Sequence, residues 1–237
     1  MYLSVIVPVF NEAAVIRETL QKIDFFLEQK GWASEIIVVN DGSTDNSLEE
    51  IRAAGLINLK LISHSSNLGK GAAVKKGMLN ASGDLLLFLD ADYSTDINQL
   101  ENFLPYLNKG YDIVIGSRGL RDSKITVSQS KIKVLSGKLG LALTHLLVVP
   151  GIKDTQCGFK LFKKNCLSIF RQQTLSGWGF DFELLFLASK QNLKVAEVAV
   201  EWKNRSDSKV KTFDYFRTLL ELIKIRINNL SGIYDKN

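Results

Sequence analysis

Asp84-Leu85-Leu86-Leu87-Phe88-Leu89-Asp90-Ala91-Asp92 is the stretch on which the architecture turns. A strand with one wet face alternates polar and apolar residues. The run 85–89 has no polar face at all, which suits a central parallel strand covered on both sides. Its two closing carboxylates then stand at the carboxyl end of the strand, where open parallel sheets bind ligands. Working outward, β-rich runs fall at Leu3–Val9, Glu35–Val39, Leu59–Ile62 and Tyr111–Ile115. Helical patterns separate them. Val15, Ile16, Leu20, Ile23, Phe26 and Leu27 recur at helical spacing, and further helices are expected at Thr44–Ala54, Ala72–Ala81 and Asp96–Leu107. This alternation over the first 118 residues predicts an α/β chain with a mostly parallel, doubly wound sheet flanked by helices.

After Arg118 the rhythm breaks. Residues 119–127 read as a loop and Ser128–Val149 as one long helical stretch interrupted by Gly137 and Gly140. A polar turn at Asp154–Gly158 precedes a short strand at Phe159–Phe162. A helix at Asp181–Lys190, a last strand at Val195–Trp202 and an amphipathic helix at Thr212–Ile227 complete the chain.

Composition excludes several functions. The 237 residues contain two cysteines without a CxxC pair, which reads as two thiols in a reducing compartment. Two histidines are too few for a histidine-based metal site, so any metal must rely on oxygen ligands. The Pro8-Val9-Phe10-Asn11-Glu12 turn has no glycine and is no dinucleotide fingerprint, and Gly69-Lys70-Gly71 fits no P-loop frame. The opening Met1–Pro8 run reads as a strand rather than a signal peptide. The longest uncharged apolar stretch, Leu139–Gly151, is shorter than the roughly 20 residues of a spanning helix. The net charge of +5 is uneven: residues 1–120 hold 10 basic and 15 acidic residues, residues 121–237 hold 20 and 10. The basic half suits phosphate or anionic lipid, or an ordinary solvated surface. It carries no nucleic-acid reading motif, so no nucleic-acid partner is expected.

Polar signals cluster at the strand ends: Asn11-Glu12, Asp41, Asp90 with Asp92, and Ser117-Arg118. Two carboxylates two residues apart suit a hard divalent cation that also takes phosphate oxygens. A strand-ending Asx turn is the alternative, although it needs only one aspartate. Asp181 is a candidate general base or a helix cap, and Glu183 a candidate partner of a basic neighbour.

The sequence resembles the family 2 glycosyltransferases of the GT-A (nucleotide-diphospho-sugar transferase) fold. Within them it is most similar to the polyprenyl-phosphate (dolichyl-phosphate) glucosyl- and mannosyltransferases. The likeness runs from Ser4 to about Val210. It rests on SVIVPVFNE at 4–12, VVNDGSTDNS at 38–47, NLGKGAAVKKG at 67–77, SGDLLLFLDAD at 82–92, IGSR at 115–118, DTQCGFKLF at 154–162 and GFDFELL at 179–185.

The resemblance implies inverting, metal-dependent transfer of a hexose to a polyprenyl phosphate. Pro8, Val9, Asn11, Glu12 and Asp41 would hold the base and ribose, with Lys70 near the donor. Asp90 would contact the ribose or sugar side and join Asp92 in binding Mg²⁺ or Mn²⁺, and Arg118 would approach the phosphates. Asp154, Thr155 and Gln156 would line the sugar pocket, while Arg205, Ser206 and Lys209 match a phosphate-contacting loop. Mannose synthases tend to read Asp-Ala-Asp-Leu-Gln where this chain has Asp90-Ala91-Asp92-Tyr93-Ser94-Thr95. That departure favours UDP-glucose over GDP-mannose as donor. The acceptor loop, arginine-bearing in the family, here reads Ser128, Gln129, Ser130, Lys131 and Lys133. A hydroxyl acceptor, or a nucleotide-sugar-binding protein without catalysis, remains the alternative reading.

The implied organisation is a glycosyltransferase domain over 1–210, with a nucleotide-binding half at 1–118 and an acceptor-side half at 119–210. An amphipathic helix and tail follow at 211–237. Because a polyprenyl phosphate stays in its bilayer, the enzyme is expected to be cytoplasmic and peripheral, at the cytoplasmic face of an anionic membrane. In the last helix Phe213, Phe216, Leu220, Ile223 and Ile227 form an apolar stripe that could lie in the interface, pack on its own domain or join a homo-oligomer.

Overall fold

A computed structural model describes residues 1–125, 151–203 and 212–235. The expected helix at 128–149 and the residues Arg205, Ser206 and Lys209 lie outside the described residues. The first half alternates as expected: β1 (Tyr2–Val9), α1 (Ile16–Lys30), β2 (Ala33–Asn40), α2 (Ser47–Ala53), β3 (Leu59–Ser63), α3 (Lys70–Leu79), β4 (Leu85–Leu89), α4 (Leu100–Asn108) and β5 (Ile113–Ser117). There follow β6 (Lys124–Ile125), β7 (Phe159–Lys163), α5 (Leu167–Gln172), α6 (Phe180–Lys190), β8 (Val195–Ala199), β9 (Glu201–Trp202) and α7 (Thr212–Leu230).

Seven strands form one sheet in the order β3-β2-β1-β4-β7-β5-β8. Strands β1, β2, β3 and β4 run parallel, as do β5 and β8. β7 lies between β4 and β5, antiparallel to both. Its direction brings its first residue, Phe159, opposite Leu89, so the preceding turn at 154–158 arrives beside Asp90.

The two faces of β4 account for its composition. Leu87 and Leu89 enter a core layer with α1 and α4, while Leu86 and Phe88 enter the opposite layer with α3, α5 and α6. All four are essentially sealed from solvent, and each contributes about 1.5–3 kcal/mol of burial. The expected last strand at Val195–Trp202 is broken at Val200: β8 belongs to the main sheet, and β9 pairs with β6 in a separate ribbon. α6 starts one residue earlier than expected, with Gly179 at its N-cap, so Asp181 lies inside the first turn and is not the cap.

Of the three settings open to the stripe of the last helix, packing on its own domain is not the one that its described residues take in α7. Among the described side chains of α7, Leu222 and Ile225 enter the core. Of the expected stripe, Leu220, Ile223 and Ile227 are 51%, 45% and 56% exposed, while the side chains of Phe213 and Phe216 lie outside the described residues. Among the described residues no helix is long and apolar enough to cross a membrane.

Candidate active site at the carboxyl edge of the sheet

The β1–α1 and β2–α2 loops are stitched together. Asn11 adopts a left-handed φ of 54°, and its Oδ1 accepts from the Thr44 amide at 2.8 Å while its own amide donates to Ser43 Oγ at 3.0 Å. Left-handed backbone suits asparagine better than most residues. The Glu12 amide donates to Ser47 Oγ at 2.7 Å and the Ala13 amide to Asp45 Oδ2 at 3.1 Å. The polar residues opening α2 therefore bind the neighbouring loop, and the N-cap Asn46 makes no side-chain cap bond. Asp41 is buried. Its Oδ1 accepts from the Leu68 amide at 3.0 Å and lies 2.7 Å from His64 Nδ1, and its Oδ2 accepts from the Gly69 amide at 2.8 Å. The carboxylate thus ties the loop before α3 to the carboxyl end of β2.

That loop delivers Lys70 to the end of β4. Lys70 Nζ lies 2.7 Å from Asp90 Oδ1 and sits over the rings of Phe88 and Trp178 at 5.3 and 5.2 Å. Burial works against the ammonium charge. The carboxylates of Asp90, Asp181 and Asp92 outweigh it and hold the Lys70 pKa above its ordinary value. Asp92 Oδ1 accepts from the Ser94 amide at 2.9 Å, and Tyr93 between them has a φ of 55°. Asp92 therefore makes the Asx turn, which occupies one oxygen of the pair's four.

The donor chemistry fits a hard cation. The Asp90 amide donates to the Gly158 carbonyl at 3.0 Å, and a Cβ on Gly158 would stand 1.8 Å from Asp90 Oδ2. The carboxylate is thus seated against a glycine that leaves it room. Among the described residues no group of three or more His, Cys, Asp or Glu side chains could hold a metal. A two-carboxylate site suits Mg²⁺ or Mn²⁺ that completes its shell with diphosphate oxygens and water, and does not suit an all-protein cage.

On the other side of Gly158, Arg118 and Asp154 form a forked pair. Arg118 Nε donates to Oδ2 at 2.6 Å, Nη2 to Oδ1 at 2.9 Å, and the Arg118 amide to Oδ2 at 2.9 Å. The guanidinium lies 5.2 Å from the Trp202 ring. Burial would raise the Asp154 pKa, but Arg118 holds it below the ordinary carboxylate value. Thr155 is buried and Gln156 exposed in the same turn. Two of the five guanidinium N–H donors bind Asp154, and the side chain remains capable of meeting a phosphate.

Beneath this layer Lys160 pairs with Asp181. The two residues are 1% and 3% exposed. Lys160 Nζ also donates to the Cys157 carbonyl at 2.7 Å. Burial raises the Asp181 pKa, and Lys160 and Lys70 counter it only in part. Glu183 has no basic partner among the described residues. Its oxygens accept from the Thr174 amide and hydroxyl, the Leu175 amide and the Tyr234 hydroxyl. Gly158 and Lys160 lie inside the DTQCGFKLF motif without being assigned a role in the site, and Trp178 lies just outside GFDFELL. The signal for Lys160 was a lone charge inside the apolar run Phe159–Phe162, and for Trp178 a bulky ring between two glycines.

The site brings Asp90, Asp92, Lys70, Arg118 and Asp154 to one edge of a GT-A sheet, the setting of a glycosyltransferase. Residues 4–170 match the model of Glycosyl transferase family 2, and the chain belongs to that family. It is a hexosyltransferase that draws on a nucleotide sugar, and the reading without catalysis is set aside. The dolichyl-phosphate beta-glucosyltransferase ALG5D of Trichomonas vaginalis is 38% identical over 243 residues, covering 96% of this chain and 73% of that protein. The dolichyl-phosphate beta-glucosyltransferase of Dictyostelium discoideum is 36% identical over 250 residues (99% and 76%), and that of Homo sapiens 32% identical over 250 residues (98% and 77%). Among solved structures, mannosyl-3-phosphoglycerate synthase from Rubrobacter xylanophilus superposes with a TM-score of 0.71 at 20% identity, covering 98% of this chain and 75% of that one. Glucosyl-3-phosphoglycerate synthase from Mycobacterium tuberculosis, in complex with Mn²⁺, UDP-glucose and phosphoglyceric acid, gives 0.66 at 20% identity (96% and 79%). These two likenesses show the fold.

Proposed function

We propose that this enzyme transfers glucose from UDP-glucose to a polyprenyl phosphate, with inversion, at the cytoplasmic face of a membrane. The observation that carries the acceptor class is the commitment of Asp181 to Lys160. A sugar hydroxyl must lose a proton to attack, so its transferase needs a free base. Asp181 is the carboxylate that would serve, and it is buried and ion-paired. A phosphate acceptor is ionised already and needs only positioning. The names of the relatives favour the same acceptor and glucose as the sugar.

In this reading Asp90 and Asp92 hold Mg²⁺ or Mn²⁺, which when bound neutralises charge on the leaving diphosphate. Lys70 keeps its charge beside Asp90 and orients that carboxylate. Pro8, Val9, Asn11, Glu12 and Asp41 line the base and ribose, Val9 through its backbone because its side chain is in the core, while the Asp41 carboxylate also holds the Leu68 and Gly69 amides. Arg118 meets the phosphates while braced by Asp154, and Thr155 and Gln156 border the sugar. Arg205, Ser206 and Lys209 complete the phosphate contacts. Residues 1–118 form the nucleotide half, 119–210 the acceptor half, and 211–237 a helix and tail whose exposed Leu220, Ile223 and Ile227 rest on the bilayer. Asp181→Asn tests the acceptor class: turnover should fall without a steep new pH dependence. Restoration by small added bases would instead mark a hydroxyl acceptor.

A further inference from the structure

We propose that Lys160 is a positioning residue that sets Asp90 for the divalent cation, acting through the Cys157-Gly158 turn. The inference rests on the reading of Asp90 as a metal carboxylate. A lysine sealed inside a sheet is costly unless every donor is used. Here the ammonium meets Asp181, donates to the Cys157 carbonyl at 2.7 Å and lies 5.6 Å from the Phe88 ring centre. Its three N–H donors thus have two acceptors and one aromatic face.

The turn it holds is the one that seats Asp90. Gly158 accepts the Asp90 amide at 3.0 Å and packs so tightly on the carboxylate that no side chain fits between them. The Cys157 thiol is wedged against Gly116 of β5, where a Cβ would come within 2.8 Å of Sγ. Clamped by Cys157 on one side and Lys160 on the other, the turn has no slack to pass to Asp90. The Phe88 ring lies within 6 Å of both Lys70 and Lys160, so the ammonium that touches Asp90 and the one that braces its seat share one wall. Asp181 then has a definite task as the buried ion-pair partner of Lys160.

Partners behind a metal ligand commonly govern affinity by 10- to 100-fold. The test is Mn²⁺ binding in the presence of UDP, followed by electron paramagnetic resonance of free Mn²⁺, on the purified full chain. The variants are Lys160→Met with Asp181→Asn, which removes both charges together, and Asp181→Asn alone, which keeps the bond to Cys157. The double variant should retain its circular dichroism spectrum and bind Mn²⁺ about 10- to 100-fold more weakly. Asp181→Asn alone should lose much less, on the order of threefold or below. Wild-type affinity in the double variant, or an equal loss in Asp181→Asn alone, would overturn the role of Lys160. A wild-type protein that takes up no Mn²⁺ with UDP would overturn the metal reading itself, and this inference with it.

Discussion

Gly158 and Asp90 are in such close contact that a single methyl group on the glycine would stand 1.8 Å from the Asp90 carboxylate oxygen. Asp90 must therefore move in Gly158→Ala, because the neighbouring Cys157 and Phe159 are both buried and cannot retreat. Divalent-dependent turnover should fall by about 10- to 100-fold while the protein remains folded. Activity titrated with Mn²⁺, alongside circular dichroism, checks it. Wild-type metal dependence in this variant would separate Asp90 from the cation.

The Arg118–Asp154 pair makes an acid-stability prediction. Burial works against the Asp154 charge, but Arg118 outweighs it and holds the folded pKa below the ordinary carboxylate value. The stabilisation is therefore full above the unfolded pKa and is lost as pH falls through the lower folded value. Asp154→Asn should flatten the loss of stability as pH falls below the ordinary carboxylate range, about 4. Urea unfolding at stepped pH measures it, and parallel acid limbs in the two proteins would contradict it.

Glu183 is a structural hub. It is fully buried and gathers Thr174, Leu175 and Tyr234 through neutral donors. Glu183→Ala strands those donors and should cost about 3–5 kcal/mol, with Glu183→Gln milder. Denaturant unfolding gives the value. A cost under about 1 kcal/mol would mean that the cluster rearranges freely.

The outward stripe of α7 predicts reversible membrane attachment. Replacing Leu220, Ile223 and Ile227 together with serine removes exposed apolar surface and leaves Leu222 and Ile225 in the core. Flotation with anionic vesicles should fall, and high salt should weaken what remains, since each basic residue near the surface contributes about 1 kcal/mol. Flotation equal to wild type would assign the stripe elsewhere.

How far the chain could be read depended on where the information lay. β4 was legible because five apolar residues in a row demand cover on both faces. Asp90 and Asp92 were legible because they close that run. The insertion of β7 was not, since nothing in Phe159–Lys163 states its direction or its neighbours. The bracing of Arg118 by Asp154 joins residues 36 apart, and neither local pattern announces the other. The periodicity of α7 revealed an apolar stripe, yet the face chosen for packing was the one holding Leu222 and Ile225. Periodicity reports that a face exists and leaves open which partner covers it.

Lipid extraction after incubation tests the central claim most directly. The purified enzyme is given UDP-[¹⁴C]glucose, Mn²⁺ and vesicles containing polyprenyl phosphate, with GDP-[¹⁴C]mannose in a parallel reaction. The account predicts glucose label in the organic phase that requires both the divalent ion and the lipid phosphate, is lost in Asp92→Asn, and exceeds the mannose signal. Label that stays in the aqueous phase on a sugar or protein hydroxyl, or faster transfer from GDP-mannose, would contradict it.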